Sequence, residues 1–349
     1  MNLEQCLARA QREGVSDLHL SEGQPLRARR HGVLAPWPAE QPLSPSATTL
    51  REWLSTLTEG IAPPSDDAQA WQRWLAQAEC DSAKALGEVR VRAHLFWHDR
   101  GLGASLRLIP TQLPSWEDLG VPEVARAWLQ ATSGLVLVTG ATGSGKSTTL
   151  AALVHALNAH QRLHIITLED PIEFVHQPLC ALVHQRQLHR DFATFDQGLK
   201  AALRQDPDVI LVGELRDLNT IRLALQAAET GHLVLASLHT RSAPQTVERL
   251  VDVFAAEEKP WIRNQLSLSL HAVICQHLLP RSDGGGRVAA HEVMVATPAI
   301  RHLIREGKSA QMPTALQTGA ALGMCTLAQS LQRLVHDGLI TPEVAQLAL

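Results

Sequence analysis

From Val124 onward the chain alternates short apolar runs with longer amphipathic stretches, whereas its first hundred residues come in brief pieces broken by polar and turn-forming residues. Four runs, Leu135–Thr139, His164–Leu168, Val209–Val212 and Leu233–Leu238, have the length and composition of buried strands. Helix-periodic segments separate them, which predicts a mostly parallel sheet covered by helices and so an α/β fold. The earlier part predicts a small α+β module. Leu3–Arg12 has helical spacing, and SDLHLSEGQPLRARRHGVLAP reads as strands and turns. Between Trp37 and Pro64, the prolines at 38, 42, 45, 63 and 64 surround a helical stretch. A strand pair follows in GEVRVRAHLFWHDRGLGASLRLIP, where Val89, Val91, Ala93 and Leu95 alternate with Arg90, Arg92 and His94. Successive strand residues point to opposite faces, so these arginines share one. Prolines 110, 114 and 122 in IPTQLPSWEDLGVP mark a linker. The expected organisation is an N-terminal domain over 1–112, a linker over 113–122 and a second domain over 123–349.

Composition narrows the function. At 349 residues, with 45% hydrophobic and 19% charged residues, the chain is long enough for two packed cores. A net charge of -4 and the lack of any run of Lys or Arg argue against nucleic acid as a partner. The five cysteines stand singly, so no CxxC pair offers two thiolates to zinc, and they read as reduced residues of a cytoplasmic protein. The N-terminus is polar and amphipathic, unlike a signal peptide. No run reaches the roughly 18 apolar residues of a membrane span, so any membrane association is expected through partners.

The chemistry concentrates in four segments. GLVLVTGATGSGKSTTLAALVHAL holds a phosphate-binding loop, Gly140-x4-Gly145-Lys146-Ser147, between an apolar strand and an Ala/Leu-rich helix. Glycines let a backbone wrap phosphate without Cβ clashes, and a helix N-terminus supplies unpaired N–H groups. Gly140, Ala141, Thr142, Gly143, Ser144, Gly145, Lys146, Ser147 and Thr148 are the candidate nucleotide contacts, with Lys146 neutralising terminal phosphates and Ser147 binding Mg²⁺. In RQDPDVILVGELRD a buried strand ends at Gly213-Glu214. No Asp precedes that acid, so Glu214 is expected to hold Mg²⁺ through water or to orient the attacking water. HIITLEDPIEF sets Glu169, Asp170 and Glu173 beyond another strand, around a proline that ends it. AAETGHLVLASLHT puts His232 before a strand and His239 after it, where imidazole can link a phosphate or water to a neighbouring subunit. Each signal also has a plain structural reading: a chance glycine turn, solvated acids, or hydrogen-bonded framework histidines.

Taken together, GATGSGKSTT, LEDPIEF, DPDVILVGELRD and ETGHLVLASLHT, in this order, resemble the secretion and pilus ATPase superfamily, and the resemblance runs from about residue 16 to about residue 340. Ala299–Glu306 reads AIRHLIRE and resembles the AIRNLIRE helix of the type IV pilus retraction class, departing at His302. The resemblance implies a PAS-like N-terminal domain, then a RecA-like P-loop ATPase domain with a helical C-terminal region. It implies ATP and Mg²⁺ as ligands, Glu173 as the water-activating base, Glu214 as the metal-organising acid, and Arg92 and Arg107 as arginines that reach the phosphates. It further implies a homohexameric motor, peripheral at the inner membrane, acting on a pilus platform protein. Three other readings remain: an assembly or secretion ATPase of the same superfamily, a nucleic-acid-stimulated ATPase of the helicase type, and a regulatory subunit that binds ATP without turning it over. By helical periodicity alone, residues 299–306 bury Ile300, Leu303 and Ile304 and expose Arg301 and Arg305.

Overall fold

Alternating residues in the first half and continuous apolar runs in the second build two different sheets. The computed structural model describes all residues except 1, 31, 59–61, 64–65, 78–79 and 110–112, so the expected breakpoints Pro64 and Pro110 lie outside the described residues. The chain divides into one unit of Met1–Gln112 with Pro171–Phe174 and another of Leu113–Asp170 with Val175–Leu349.

The first unit opens with helix α1 (Leu3–Arg12), at the bounds its spacing predicts. Asn2 and Gln5 form a reciprocal capping box at its start. Leu3, Cys6, Leu7 and Ala10 lie on its buried stripe. Strands β1 (Asp17–Ser21), β2 (Arg27–Arg30) and β3 (Val33–Pro36), helices α2 (Ala47–Ser55) and α3 (Ala68–Gln77), and strands β4 (Cys80–Leu86), β5 (Val89–His98) and β6 (Gly101–Ile109) follow. The strands form one sheet in the order β3-β2-β1-β6-β5-β4, with every pairing antiparallel. Val89, Val91, Ala93 and Leu95 of β5 are buried, and Arg90, Arg92 and His94 alternate with them on the more open face. The inner face packs on Leu7, Leu50, Leu54 and Trp71 from the three helices. Full burial of such side chains stabilises by about 1.5–3 kcal/mol each before the entropy of ordering them is counted.

In the second unit the segment after residue 112 is not a free tether. Val121 is buried in the same cluster as Trp128 and Leu150. Helix α4 (Ala125–Leu129) leads to strand β7 (Gly134–Thr139), helix α5 (Lys146–His160), strands β8 (His164–Glu169) and β9 (Leu182–Gln187), and helix α6 (Phe195–Ala202). Strand β10 (Val209–Val212), helix α7 (Leu218–Glu229), strand β11 (Leu233–Leu238), helices α8 (Ala243–Asp252) and α9 (Lys259–Ser269), and strands β12 (Leu270–Pro280) and β13 (Arg287–Val295) continue the chain. Four further helices close it: α10 (Pro298–Arg305), α11 (Met312–Thr318), α12 (Leu327–His336) and α13 (Pro342–Ala348).

The sheet order is β13-β12-β7-β11-β10-β8-β9, parallel throughout except for the antiparallel pairing of β12 with β13. Leu135 and Leu137 of β7 face one core, with Leu225 of α7 and Leu266 of α9. Val136 and Val138 face the other, with Leu150, Leu153 and Leu157 of α5. Burial on both faces is why these strands read as unbroken apolar runs.

The C-terminal region corrects one expectation. Ile300 and Ile304 of α10 are buried as predicted, but Arg301 is half-buried and turned back onto the protein. Its guanidinium donates to the carbonyls of Ala296 (2.8 Å), Leu268 (2.7 Å) and Ser267. Ser267 and Leu268 belong to the last turn of α9, whose terminal carbonyls have no partner within the helix. A planar cation with several donors satisfies them better than solvent exposure would satisfy the arginine.

Candidate functional site

Parallel strands end their carboxyl edges side by side. The register pairs Leu238 with Thr139, Ala236 with Val212, and Val212 with Leu168, so the residues after β7, β11, β10 and β8 emerge along one edge of the sheet. Ligands of open α/β sheets bind outside this edge.

The loop after β7 is the centre of the arrangement. Gly140, Gly143 and Gly145 have φ of 141°, 79° and 89°, in the region that favours glycine, and Gly145 caps the N-terminus of α5. Ala141, Thr142 and Gly143 are exposed, as is Ser147, while Lys146 is only 9% exposed. The Lys146 ammonium donates to the carbonyls of Gly140 (2.9 Å) and Ala141 (3.0 Å). Burial pulls its pKa below the ordinary lysine value, partly opposed by the charge of Glu214. A buried cation at a helix N-terminus, in a loop whose backbone bends through three positive φ angles, favours an anion. Ser144 Oγ is buried with no hydrogen-bond partner among the described residues, as expected where a polar cradle awaits a polar ligand. These residues fit a nucleotide phosphate tail.

Around the loop the structure brings some expected residues together. Glu214, just past β10, accepts from Arg216 at 2.8 Å and lies 3.3 Å from Nε2 of His239, which follows β11. Nδ1 of His239 is 3.4 Å from Lys146 Nζ and 3.5 Å from Thr142 Oγ1. Burial alone would raise the Glu214 pKa, but Arg216 and His239 together outweigh it and hold the carboxyl below its ordinary value. Asp170 also acts on Arg216, raising its pKa together with Glu214. A line of polar contacts thus runs from Arg216 through Glu214 and His239 to Lys146. Glu169 at the end of β8 is held by Thr167 (2.7 Å) and Gln185 (2.9 Å). Among the described residues no group of three or more His, Cys, Asp or Glu side chains forms a metal cage. Any Mg²⁺ here would draw most of its ligands from phosphate and water, with the Ser147 hydroxyl as the protein's contribution.

His232 is not part of this cluster. It precedes β11, beside Gly134 at the start of β7, and its ring lies 3.1 Å from the Ala227 carbonyl. Six strand residues, roughly 20 Å at ~3.3 Å each, separate it from the His239 end. Glu173 groups with the first unit, where its Oε1 lies 3.8 Å from Arg92 Nη1, and Arg90 donates to the Ile172 carbonyl at 2.7 Å. Arg107 stands opposite Arg92 across β5 and β6 and donates to Asp17 at 2.9 Å. One residue of the loop's surroundings escaped the sequence reading: Gln276 of β12, buried against Ser144 and Thr149.

Among the described residues no helix is long and apolar enough to cross a membrane. The model of the type II/IV secretion system protein family matches residues 88–344. The type IV pilus retraction ATPase PilT of Pseudomonas aeruginosa is 49% identical, over 99% of this chain and 97% of its own. A twitching motility protein of Neisseria gonorrhoeae is 55% identical over 74% of this chain and 69% of its own. A crystal structure of the pilus retraction motor PilT with bound ADP matches with a TM-score of 0.86 at 37% identity, covering 100% of this chain and 97% of that one. The chain belongs to the type II/IV secretion system protein family, within its type IV pilus retraction ATPase class.

Proposed function

We propose that this chain binds ATP with Mg²⁺ at the loop after β7, hydrolyses it to ADP and phosphate, and uses the cycle to drive type IV pilus retraction. The observation that carries the reading is the buried, glycine-wrapped Lys146 ammonium at the N-terminus of α5, with Glu214 and His239 beside it. Gly140 to Thr148 would hold the phosphate tail, with Lys146 offsetting the charge that grows on the transferred phosphoryl group. Ser147 and, through water, Glu214 would hold Mg²⁺, which when bound neutralises phosphate charge. Glu173 is assigned as the base that activates water. The Arg92 and Arg107 guanidiniums are assigned to nucleotide phosphates, with bidentate geometry suited to them. His239 would sense the terminal phosphate from the Lys146 side, and His232 is assigned a contact to a neighbouring subunit.

The same reading takes the N-terminal domain (1–112) as PAS-like, 113–122 as its connection, and 123–349 as a RecA-like ATPase domain. It takes the working form as a cytoplasmic homohexamer, held at the inner membrane by a pilus platform protein. Similarity to the retraction ATPases supports this over an assembly or secretion role.

Phosphate release by the purified chain tests the chemistry. Lys146→Ala and Glu173→Gln should each lower turnover by about 100-fold or more, and turnover surviving both would remove the assignment. A deletion strain should keep its surface fibres and fail to retract them. Loss of the fibres themselves would point to assembly.

A further inference from the structure

The phosphate loop is shaped from outside its own motif. Gln276 lies on β12, one residue beyond Cys275, the parallel partner of Thr139 at the end of β7. Its side chain is 3% exposed, and both ends of its amide are used. Nε2 donates to the Ser144 carbonyl at 2.7 Å, and Oε1 accepts from the Thr149 hydroxyl at 2.7 Å. A carbonyl can only accept, so the Ser144 bond requires the amide nitrogen on that side and leaves the oxygen for Thr149. One side chain therefore ties a loop carbonyl to the first turn of α5.

Two of the loop's glycines meet the same residue. A Cβ on Gly140 would come within 2.4 Å of the Gln276 carbonyl oxygen, and one on Gly145 within 2.8 Å of its Nε2. Gly143, which does not face Gln276, has nothing within 4 Å of such a Cβ. Entry and exit of the loop are thus packed on β12, while its tip is open. The peptide between Ser144 and Gly145 is trans and planar, so its C=O and N–H point in opposite directions. Holding the Ser144 oxygen on Gln276 turns the Gly145 N–H away from β12.

We propose that Gln276 is a positioning residue for nucleotide binding, acting through Ser144 and Thr149 to hold the loop's amides ready for phosphate. The inference rests on the nucleotide-binding reading above. Preorganised donors need no rearrangement when the anion arrives, so Gln276 acts on affinity more than on the chemical step.

The test uses the full chain and three variants: Gln276→Met, which keeps length and burial without either hydrogen bond; Thr149→Val, which removes one of them; and the double substitution. Amide hydrogen exchange over residues 140–149 is read without nucleotide, and affinity with a fluorescent ADP analogue and Mg²⁺. Gln276→Met should speed exchange in that segment while exchange in β8, β10 and β11 stays at the parent rate. It should also weaken binding about 10-fold to 100-fold, the range for supporting hydrogen bonds around a ligand site, with KM rising more than kcat falls. The double variant should bind within about twofold of Gln276→Met, because Thr149 acts on the same connection. Parent-like exchange in Gln276→Met, or losses that multiply in the double variant, would overturn the proposal. If Gln276→Met does not fold, parent-like exchange and affinity in Thr149→Val would overturn it equally. A parent chain that binds no nucleotide contradicts the ATPase reading, and the exchange result then decides the role of Gln276 by itself.

Discussion

Alanine at each of the three loop glycines should destabilise the protein to different extents, in an order set by the surroundings. All three have positive φ, so a Cβ strains the backbone by about 1–3 kcal/mol at each. Against this, alanine restricts the unfolded chain and returns about 0.4–1 kcal/mol. At Gly143 nothing else opposes the substitution, because no atom lies within 4 Å of the new Cβ. The net loss there is about 1 kcal/mol, or about 2–4 °C in Tm for a domain of this size. At Gly145 the Cβ meets only the end of the Gln276 side chain, at 2.8 Å. That amide can swing aside, sacrificing its bond to Ser144 for a further ~0.5–1.5 kcal/mol. At Gly140 the obstacle is the Gln276 backbone oxygen at 2.4 Å, with Ser144 Oγ at 2.6 Å. The carbonyl cannot rotate away without moving β12, and such overpacking costs about 1–3 kcal/mol more. Gly140→Ala should therefore lose about 3 kcal/mol, or about 6–12 °C. Differential scanning calorimetry without nucleotide, checked by urea midpoints, measures the series. Gly140→Ala melting within about 2 °C of Gly143→Ala would refute the reasoning, since the close contacts with the Gln276 carbonyl and Ser144 Oγ set Gly140 apart.

Three further outcomes follow from named contacts. Glu214 has its carboxyl held below the ordinary value of 4.5, so it stabilises the fold above that pH and the benefit disappears as pH falls through the lowered pKa. Glu214→Gln should melt below the parent at pH 7, with the gap closing in acid; a gap unchanged by pH would contradict the ion-pair geometry. His291, buried on β13, also loses stability as pH falls, but over a higher range. Burial pushes its pKa down to about 4 from 6.5, so the unfolded chain takes up the proton first and the parent loses stability between those pH values. His291→Leu should flatten that part of the Tm–pH curve, and an unaltered curve would show that the ring is solvated. Arg301→Ala leaves three carbonyls without their donor, including two in the last turn of α9, and should destabilise by about 2–4 kcal/mol in urea unfolding. Arg301→Lys should recover less than half of that, because an ammonium cannot match the guanidinium fork.

Much of the nucleotide-side fold was legible because its determinants are local. The strands Val209–Val212 and Leu233–Leu238 appear where the apolar runs lie, and α1 spans the residues its spacing predicts. The hairpin β12–β13 was not legible. Ser269 ends α9 and Leu270 begins β12 with no Gly or Pro between them, so WIRNQLSLSLHAVICQHLLP reads as one apolar stretch. β12 is buried along most of its length and shows no alternation to announce a strand. Gln276 was hidden for the same reason, since its bond to Thr149 spans 127 residues and leaves no trace in local spacing.

The separation of the two histidines, by contrast, was readable. His239 follows its strand as the phosphate loop follows β7, and in a parallel sheet both must emerge at one edge; His232 precedes the same strand and must emerge at the other. The inward turn of Arg301 could not be read, because periodicity places a side chain on a helix face but does not say whether carbonyls of another helix lie within its reach.

Isothermal calorimetry of MgADP with the folded chain and with Lys146→Ala tests the central claim most directly, because ADP binds without turnover and the variant removes a single ammonium. The expected result is saturable heat at one site per chain in the parent and none in the variant. Folded parent protein that gives no heat, or a variant that titrates like its parent, would contradict the account.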